Sequence, residues 1–379
     1  MELMPGYKHS DVGVIPDDWD ATQLGGLVRI ASGASPSLFR FTGNGIPYFK
    51  VEQLSNSGKY LSGTDTPYLF ERGPSVPARS VVFAKRGAAI ALNKVRILNQ
   101  ESFMDTNLMA LTPQDGLDWE YLFYALGYIG LWRFADTTSV PQINNKHVKP
   151  LAFPLPTVDE QRAIAQALSD VDALLATLDQ VIAKKRDLKQ AAMQQLLTGE
   201  TRLPGFSGDW DKKLLGQVLT ICHGKSQRDV EVIDGAYPIL ATGGQIGTAL
   251  RPLYDKPSVL IGRKGTINQP QYMDEPFWTV DTLFYSVIKD ENSAKFLYYR
   301  FCLIDWMQYN EASGVPSLNA RTIESIEIAC PEPAEQAAIA DVLSDMDAEL
   351  IALESRRDKA HNLKQAMMQE LLTGKTRLV

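Results

Sequence analysis

Between residues 156 and 200 the apolar side chains fall into a long stripe: Ile164, Leu168, Val171, Leu175, Leu178 and Ile182 are spaced 4-3-4-3-4. That spacing lines one face of an α-helix and suits it to pair with another helix. Thr157 stands three residues before Glu160 and follows Pro154 and Pro156, which predicts a capping box at the helix start. Gly199 lies where a helix-ending glycine belongs. The stripe returns near the C-terminus with Ile339, Leu343, Met346, Leu350 and Leu353, and a second terminal glycine at Gly374. This second helix has no Ser or Thr cap, and Arg356 and Arg357 stand where Val181 and Ile182 stood, so its seam is expected to weaken midway. At ~1.5 Å per residue, each helix should form a rod of roughly 57 Å.

Elsewhere the pattern changes period. Ser80-Val81-Val82-Phe83-Ala84 and Ser258-Val259-Leu260-Ile261-Gly262 read as short buried strands, each running into a basic turn. Residues 119–134 and 294–309 are aromatic and apolar at helical spacing, which predicts a core helix in each half.

These pairs are one event. Shifted by 175 positions, residues 160–203 lie on 335–378 without a gap, with 26 identities in 44. Upstream the same shift sets Tyr121-Leu122-Phe123-Tyr124 on Phe296-Leu297-Tyr298-Tyr299, and Val140-Pro141 and Asn144 on Val315-Pro316 and Asn319. At an offset of 178, Lys85-Arg86-Gly87 meets Arg263-Lys264-Gly265; at 191, Asp18-Trp19-Asp20 meets Asp209-Trp210-Asp211. The chain is a tandem duplication, each copy a globular α+β domain followed by a long helix. The expected boundaries are 1–155, a helix over 156–200, a second globular domain over 201–332 and a second helix over 333–379.

Charge argues against a simple polyanion binder. There are 38 basic and 45 acidic side chains, a net charge of −7, so free affinity for nucleic acid should be weak. Local windows differ: residues 72–100 hold Arg72, Arg79, Lys85, Arg86, Lys94 and Arg96 and no acid, and 256–273 hold Lys256, Arg263 and Lys264 and no acid. Lys85, Arg86, Arg263 and Lys264 are the first candidates for DNA contact, since each pair precedes a glycine that lets backbone approach a phosphate. Arg79, Lys94 and Arg96 are secondary candidates for positioning contacts. Gln142, Asn144 and Asn145 could offer amides to adenine edges, although the recurrence of Asn144 as Asn319 favours a turn role.

Catalytic signatures are missing. No acidic-Pro-Pro-aromatic tetrapeptide of an adenine methyltransferase occurs, and Gly224-Lys225-Ser226 lacks the earlier glycine of a phosphate loop. Gly243-Gly244 with Gly247 reads as a plain turn. Asp211 and Lys213 mimic part of a nuclease motif, but Lys213 has only Thr22 as its counterpart. His9, His147, His223 and His361 lack ligand spacing, and Cys222, Cys302 and Cys330 are expected as reduced thiols. No membrane-length apolar run or signal peptide is evident, so a cytoplasmic location is expected.

The doubled pattern of Pro154-Leu155-Pro156, Glu160-Gln161, a heptad helix and Leu196-Leu197-Thr198-Gly199 through Thr201-Arg202-Leu203 resembles the specificity subunits of type I restriction-modification enzymes. Ile15-Pro16 with Trp19, and Leu203-Pro204-Gly205-Phe206 with Trp210, fit the domain starts; Pro331-Glu332-Pro333 is a looser version of the proline motif. The resemblance implies a non-catalytic α+β protein with an internal pseudo-two-fold repeat. Its two target-recognition domains would be separated by two long helices forming an antiparallel coiled coil. It also implies double-stranded DNA as ligand, read as a bipartite asymmetric target, and two methyltransferase subunits as partners, with S-adenosylmethionine bound there and no cofactor on this chain. Nuclease-translocase subunits would complete a restriction complex. A coiled-coil scaffold without DNA readout is the rival reading.

Overall fold

The computed structural model describes residues 5–38, 41–71, 73–136, 140–289 and 291–378. Two compact units result: Met1–Thr177 together with Arg356–Val379, and Leu178–Ser355. The long helices, Val158–Thr198 and Pro333–Leu371, are therefore not domains of their own. Each gives one half of itself to each unit.

In the first unit a five-stranded sheet runs in the order Val28–Ser32, Leu108–Pro113, Val81–Ala84, Arg96–Leu98, Tyr60–Leu61. Because strand side chains alternate in direction, Val81 and Phe83 enter the core beneath the helices, while Val82 and Ala84 enter a second core on the opposite face with Phe49, Leu98 and Met104. A smaller sheet sets Phe41–Phe49 between Phe103–Met104, which runs parallel to it, and Leu69–Phe70. Two further ribbons pair Tyr7–Ser10 with Gly13–Pro16, and Asp20–Gln23 with Ala152–Leu155.

The second unit repeats the two larger sheets, with one strand fewer in the main one among the described residues. Its main sheet is Leu219–His223, Leu283–Ile288, Ser258–Gly262, Gln271–Met273. Its small sheet again joins a parallel edge, Trp278–Thr279, to Tyr237–Ala241, with Gly244–Ala249 as the hairpin partner. Thr242 and Gly243 make that hairpin's turn, and Gly244 opens the returning strand at φ of +107°.

The sequence predicts each core helix as one piece, and the structure breaks both. Trp119–Ile129 stops at Gly130, whose φ of +83° suits glycine, before a short 3-10 turn over Leu131–Phe134. Ala294–Leu303 stops before Asp305, whose side chain accepts from the Met307 N–H and starts Trp306–Tyr309. Most of the aromatics are core: Tyr121, Tyr124, Phe296, Tyr299 and Trp306 are buried, whereas Trp132 is 60% exposed.

Within each unit the two helix halves run antiparallel. In the first, Ile164 and Leu168 share a core with Leu371 and Leu372, and the Lys364 ammonium lies 2.6 Å from the Asp172 carboxylate further along. In the second, Met193, Leu196 and Leu197 pack with Ile339 and Leu343. Lys189 pairs with Asp347, Lys185 with Glu349 at 2.7 Å, and Arg186 with Glu354 at 2.5 Å. The expected seam is the buried one: Ile164, Leu168, Val171, Leu175, Leu178, Ile182, Ile339, Leu343 and Leu350 are buried, with Met346 and Leu353 half-buried. The second helix's seam thins midway, with Leu353 and Arg357 only half-buried, before it resumes at buried Ala360.

Polar groups lock the same frame in each unit. Thr157 Oγ1 accepts the Glu160 N–H at 3.3 Å, but the Glu160 side chain does not close the expected capping box. Instead its fully buried carboxylate accepts from Trp19 Nε1 at 2.8 Å and from Arg377 at 2.6 and 2.8 Å. Glu335 does likewise with Trp210 Nε1 at 3.1 Å and Arg202 at 2.6 Å. Pro333 opens the second helix in the uncapped first-turn position that proline tolerates. Gly199 and Gly374 end their helices at φ of +76° and +72°.

Candidate nucleic-acid interface

The turns after Val81–Ala84 and Ser258–Gly262 carry the basic pairs, and the same backbone latch holds both. Lys85 donates its N–H to the Asn107 carbonyl (2.8 Å), its carbonyl accepts from Ile143 (2.9 Å), and Gly87 donates to Pro141 (2.8 Å). In the second unit Arg263 donates to Thr282 (2.8 Å), its carbonyl accepts from Leu318 (3.0 Å), and Gly265 donates to Pro316 (2.9 Å). Arg86 bridges Gln142 and Lys264 bridges Ser317 through backbone pairing. Gly87 and Gly265 sit at φ of +80° and +92°. Glycine is there to make the turn; the N–H that sequence reasoning kept for a phosphate is occupied by a proline carbonyl.

The latch leaves side chains to face solvent. Arg86 and Lys264 are exposed and have no ion-pair partner among the described residues. Lys85 is half-buried, and desolvation pulls its pKa down against the opposing charge of Asp105. Arg263 is half-buried too, with Nη1 donating to the Asp281 carbonyl at 3.2 Å. Around this turn the second unit has a cleft of about 320 Å³ lined by His223, Arg263, Lys264, Glu311 and Asn319, among others.

A third cation per unit was missed by sequence reasoning. Lys146 and Arg321 are exposed on the short helices Asn145–Val148 and Ala320–Glu324, which begin immediately beyond the latch. The 175-residue shift places one on the other, a signal already present in the sequence. Asn319 caps its helix by accepting the Arg321 N–H at 3.0 Å, and Asn144 occupies the matching position. Each unit thus gathers three cations at one turn: Lys85, Arg86 and Lys146, or Arg263, Lys264 and Arg321.

The secondary candidates are tied up elsewhere. Arg96 donates to the carbonyls of Ser57 (2.7 Å) and Val95 (2.6 Å), and burial lowers its pKa. Lys94 donates to Ser55 Oγ at 2.6 Å. Arg79 is exposed at φ of +65°, its guanidinium 5.7 Å from the Trp119 ring. Arg72 lies outside the described residues.

Two other motifs find structural uses. Gly224 packs so tightly on the Val280 carbonyl that a Cβ there would overlap it, and Gly33 packs the same way on the Asp105 carbonyl. Asp211 lies on an edge strand, 3.9 Å from Lys213. Among the described residues no cluster of His, Cys, Asp and Glu could hold a metal, and no helix is long and apolar enough to cross a membrane.

The family model for the type I restriction modification DNA specificity domain matches this chain twice, over residues 16–184 and 207–360. The chain belongs to that family. As a type I specificity subunit it is similar, at 23% identity, to the MjaVIII specificity subunit of Methanocaldococcus jannaschii, covering 96% of this chain and 94% of that protein. The S subunit of M. genitalium shares its fold with a TM-score of 0.66 at 18% identity, over 97% of this chain and 99% of that one. A second type I restriction-modification chain, from a structure concerned with complex assembly and conformational transition, gives a TM-score of 0.58 at 16% identity, over 96% and 99%. Each matched segment of the specificity subunit contains one copy of the three-cation turn.

Proposed function

We infer that this specificity subunit is non-catalytic and reads a bipartite, asymmetric sequence in double-stranded DNA, one half-site per unit. The observation that carries the reading is the three-cation turn, built on the same latch in two units whose interiors otherwise differ. Cations at matched positions suit phosphates, which are the same in any sequence, while divergent surfaces suit different bases. The long helices act as the spacer and as the dock for two methyltransferase subunits. Those partners carry S-adenosylmethionine and methylate adenine, and nuclease-translocase subunits join them for restriction. The assembly works in the cytoplasm. A scaffold that only joins proteins has no use for cations such as Arg86 and Lys264, exposed at matched positions of both units and without an ion-pair partner among the described residues.

Single-molecule methylation mapping of host DNA, with and without this chain, tests the reading. A two-part adenine mark that disappears with the chain is expected; its persistence, or the absence of any such mark, overturns the assignment.

A further inference from the structure

The two units treat one spot on the core helix differently. In the second unit Arg300 extends from that helix to the end of the first long helix, where Nη1 donates to the Leu197 carbonyl at 2.5 Å. A guanidinium suits the negative end of a helix. The repeat puts Ala125 at this position in the first unit and Leu372 in place of Leu197. No hydrogen bond among the described residues reaches the Leu372 carbonyl. Where the arginine would run, a groove of about 390 Å³ opens instead, lined by Ile15, Ala125, Ile129, Leu151 and Leu372, with Asp11 also lining it.

We propose that this groove takes an arginine side chain presented by a partner polypeptide, which supplies to the first unit the contact that Arg300 makes within the second. The apolar walls accept the methylene stem, the Leu372 carbonyl accepts a guanidinium N–H, and the Asp11 carboxylate balances the charge. Arg133, the one cation among the described residues that line the groove, has its guanidinium 5.6 Å from the Trp132 ring. Val14 and Tyr128 also line the groove and remain 47% and 40% exposed. Such an apolar border favours the flanking residues of a chain over a free small cation. The inference does not depend on the DNA reading.

The test is a titration of the full chain with acetyl-Gly-Arg-Gly-amide, followed by ligand-observed NMR. One site is expected. Replacing arginine by citrulline in the peptide should weaken it at least 10-fold, and so should the variant Ala125→Arg, which carries its own guanidinium to the carbonyl. Arg300→Ala should open a matching site in the second unit and raise the stoichiometry to two. If that variant does not fold, the Ala125→Arg and citrulline arms decide alone. No saturable binding, equal binding of the citrulline peptide, or undiminished binding to Ala125→Arg overturns the proposal. Agmatine binding as tightly as the peptide would assign the groove to a free guanidinium and overturn the docking claim.

Discussion

The two units share a frame almost atom for atom and differ in what the frame carries. Tyr124 donates to Asp172 at 2.6 Å, and Tyr299 to Asp347 at 2.7 Å; Lys364 and Lys189 close the two triads from the opposite helix. Gln161 and Gln336 both reach back to the carbonyl of a proline preceding their helix, at 2.9 Å in each case. The connection over residues 50–80 in the first unit, by contrast, adds an edge strand at Tyr60–Leu61 and sets the Lys50 ammonium over the Tyr68 ring at 3.8 Å. The second unit crosses the same interval in residues 242–257 without that strand. Buried polar groups must all be satisfied together, so the frame cannot drift piecemeal. The exposed connections carry no such debt and are free to diverge.

Four experiments test how far the likeness between the units extends, the most damaging first. Arg377→Ala strands the buried Glu160 carboxylate. The expected loss is about 3 kcal/mol in chemical denaturation, the low end for breaking a buried pair, because the Arg377 side chain is 30% exposed. Arg202→Ala should move the midpoint in the same direction, and a silent Arg202 variant would show that the two clasps are not equivalent. Next come Gly33→Ala and Gly224→Ala, where the new methyl overlaps a backbone carbonyl; each should cost roughly 2 kcal/mol, with one tolerated and one not if the likeness is superficial.

Removing the three cations from either unit (Lys85, Arg86 and Lys146, or Arg263, Lys264 and Arg321, each to Ala) should weaken DNA binding for all sequences alike. The slope of log K against log salt should flatten by about 2–3. A changed base preference with the slope intact would mean that these side chains read sequence. Smallest is an acid effect confined to the first unit. Arg377 donates to both Asp18 oxygens, at 2.8 and 2.7 Å, and that hydrogen bonding holds the carboxyl pKa below its ordinary 3.8. The stabilisation is complete above the unfolded value and is lost as pH falls through the lower folded one. Wild type should therefore exceed Asp18→Asn in urea midpoint near pH 6 and converge on it as the pH falls below 3.8 and through the lower folded value. Arg202 turns to the Gly208 carbonyl instead, so Asp209→Asn is the control.

Much of the frame was legible beforehand because a heptad is local and a duplication is visible by eye. Ile164 to Ile182 and Ile339 to Leu353 needed only their spacing. What escaped was set by contacts between distant positions. That Glu160 would leave its capping box for Trp19 and Arg377 depends on residues 141 and 217 positions away. Arg96 looks like a free cation in sequence, yet the segment it holds lies 39 residues earlier. Lys146 and Arg321 lay outside the acid-free windows, and only the latch brings them beside the basic pairs. Gly224 resembled a fragment of a phosphate loop, and its reason for being glycine lies in the carbonyl of Val280.

The clasp of Arg377 on Asp18 and Glu160 also bears on how the molecule is made. Leu178–Ser355 is an unbroken stretch, whereas the other unit needs both Met1–Thr177 and Arg356–Val379. On the ribosome the second half has all its parts in hand first. The half that emerges earliest must wait, with Trp19 and Ile164 lacking their final cover, until the stretch from Arg356 onward has followed. Chaperone dependence and premature termination should thus injure the N-terminal half most, although the missing residues come after the whole of the second unit in the chain.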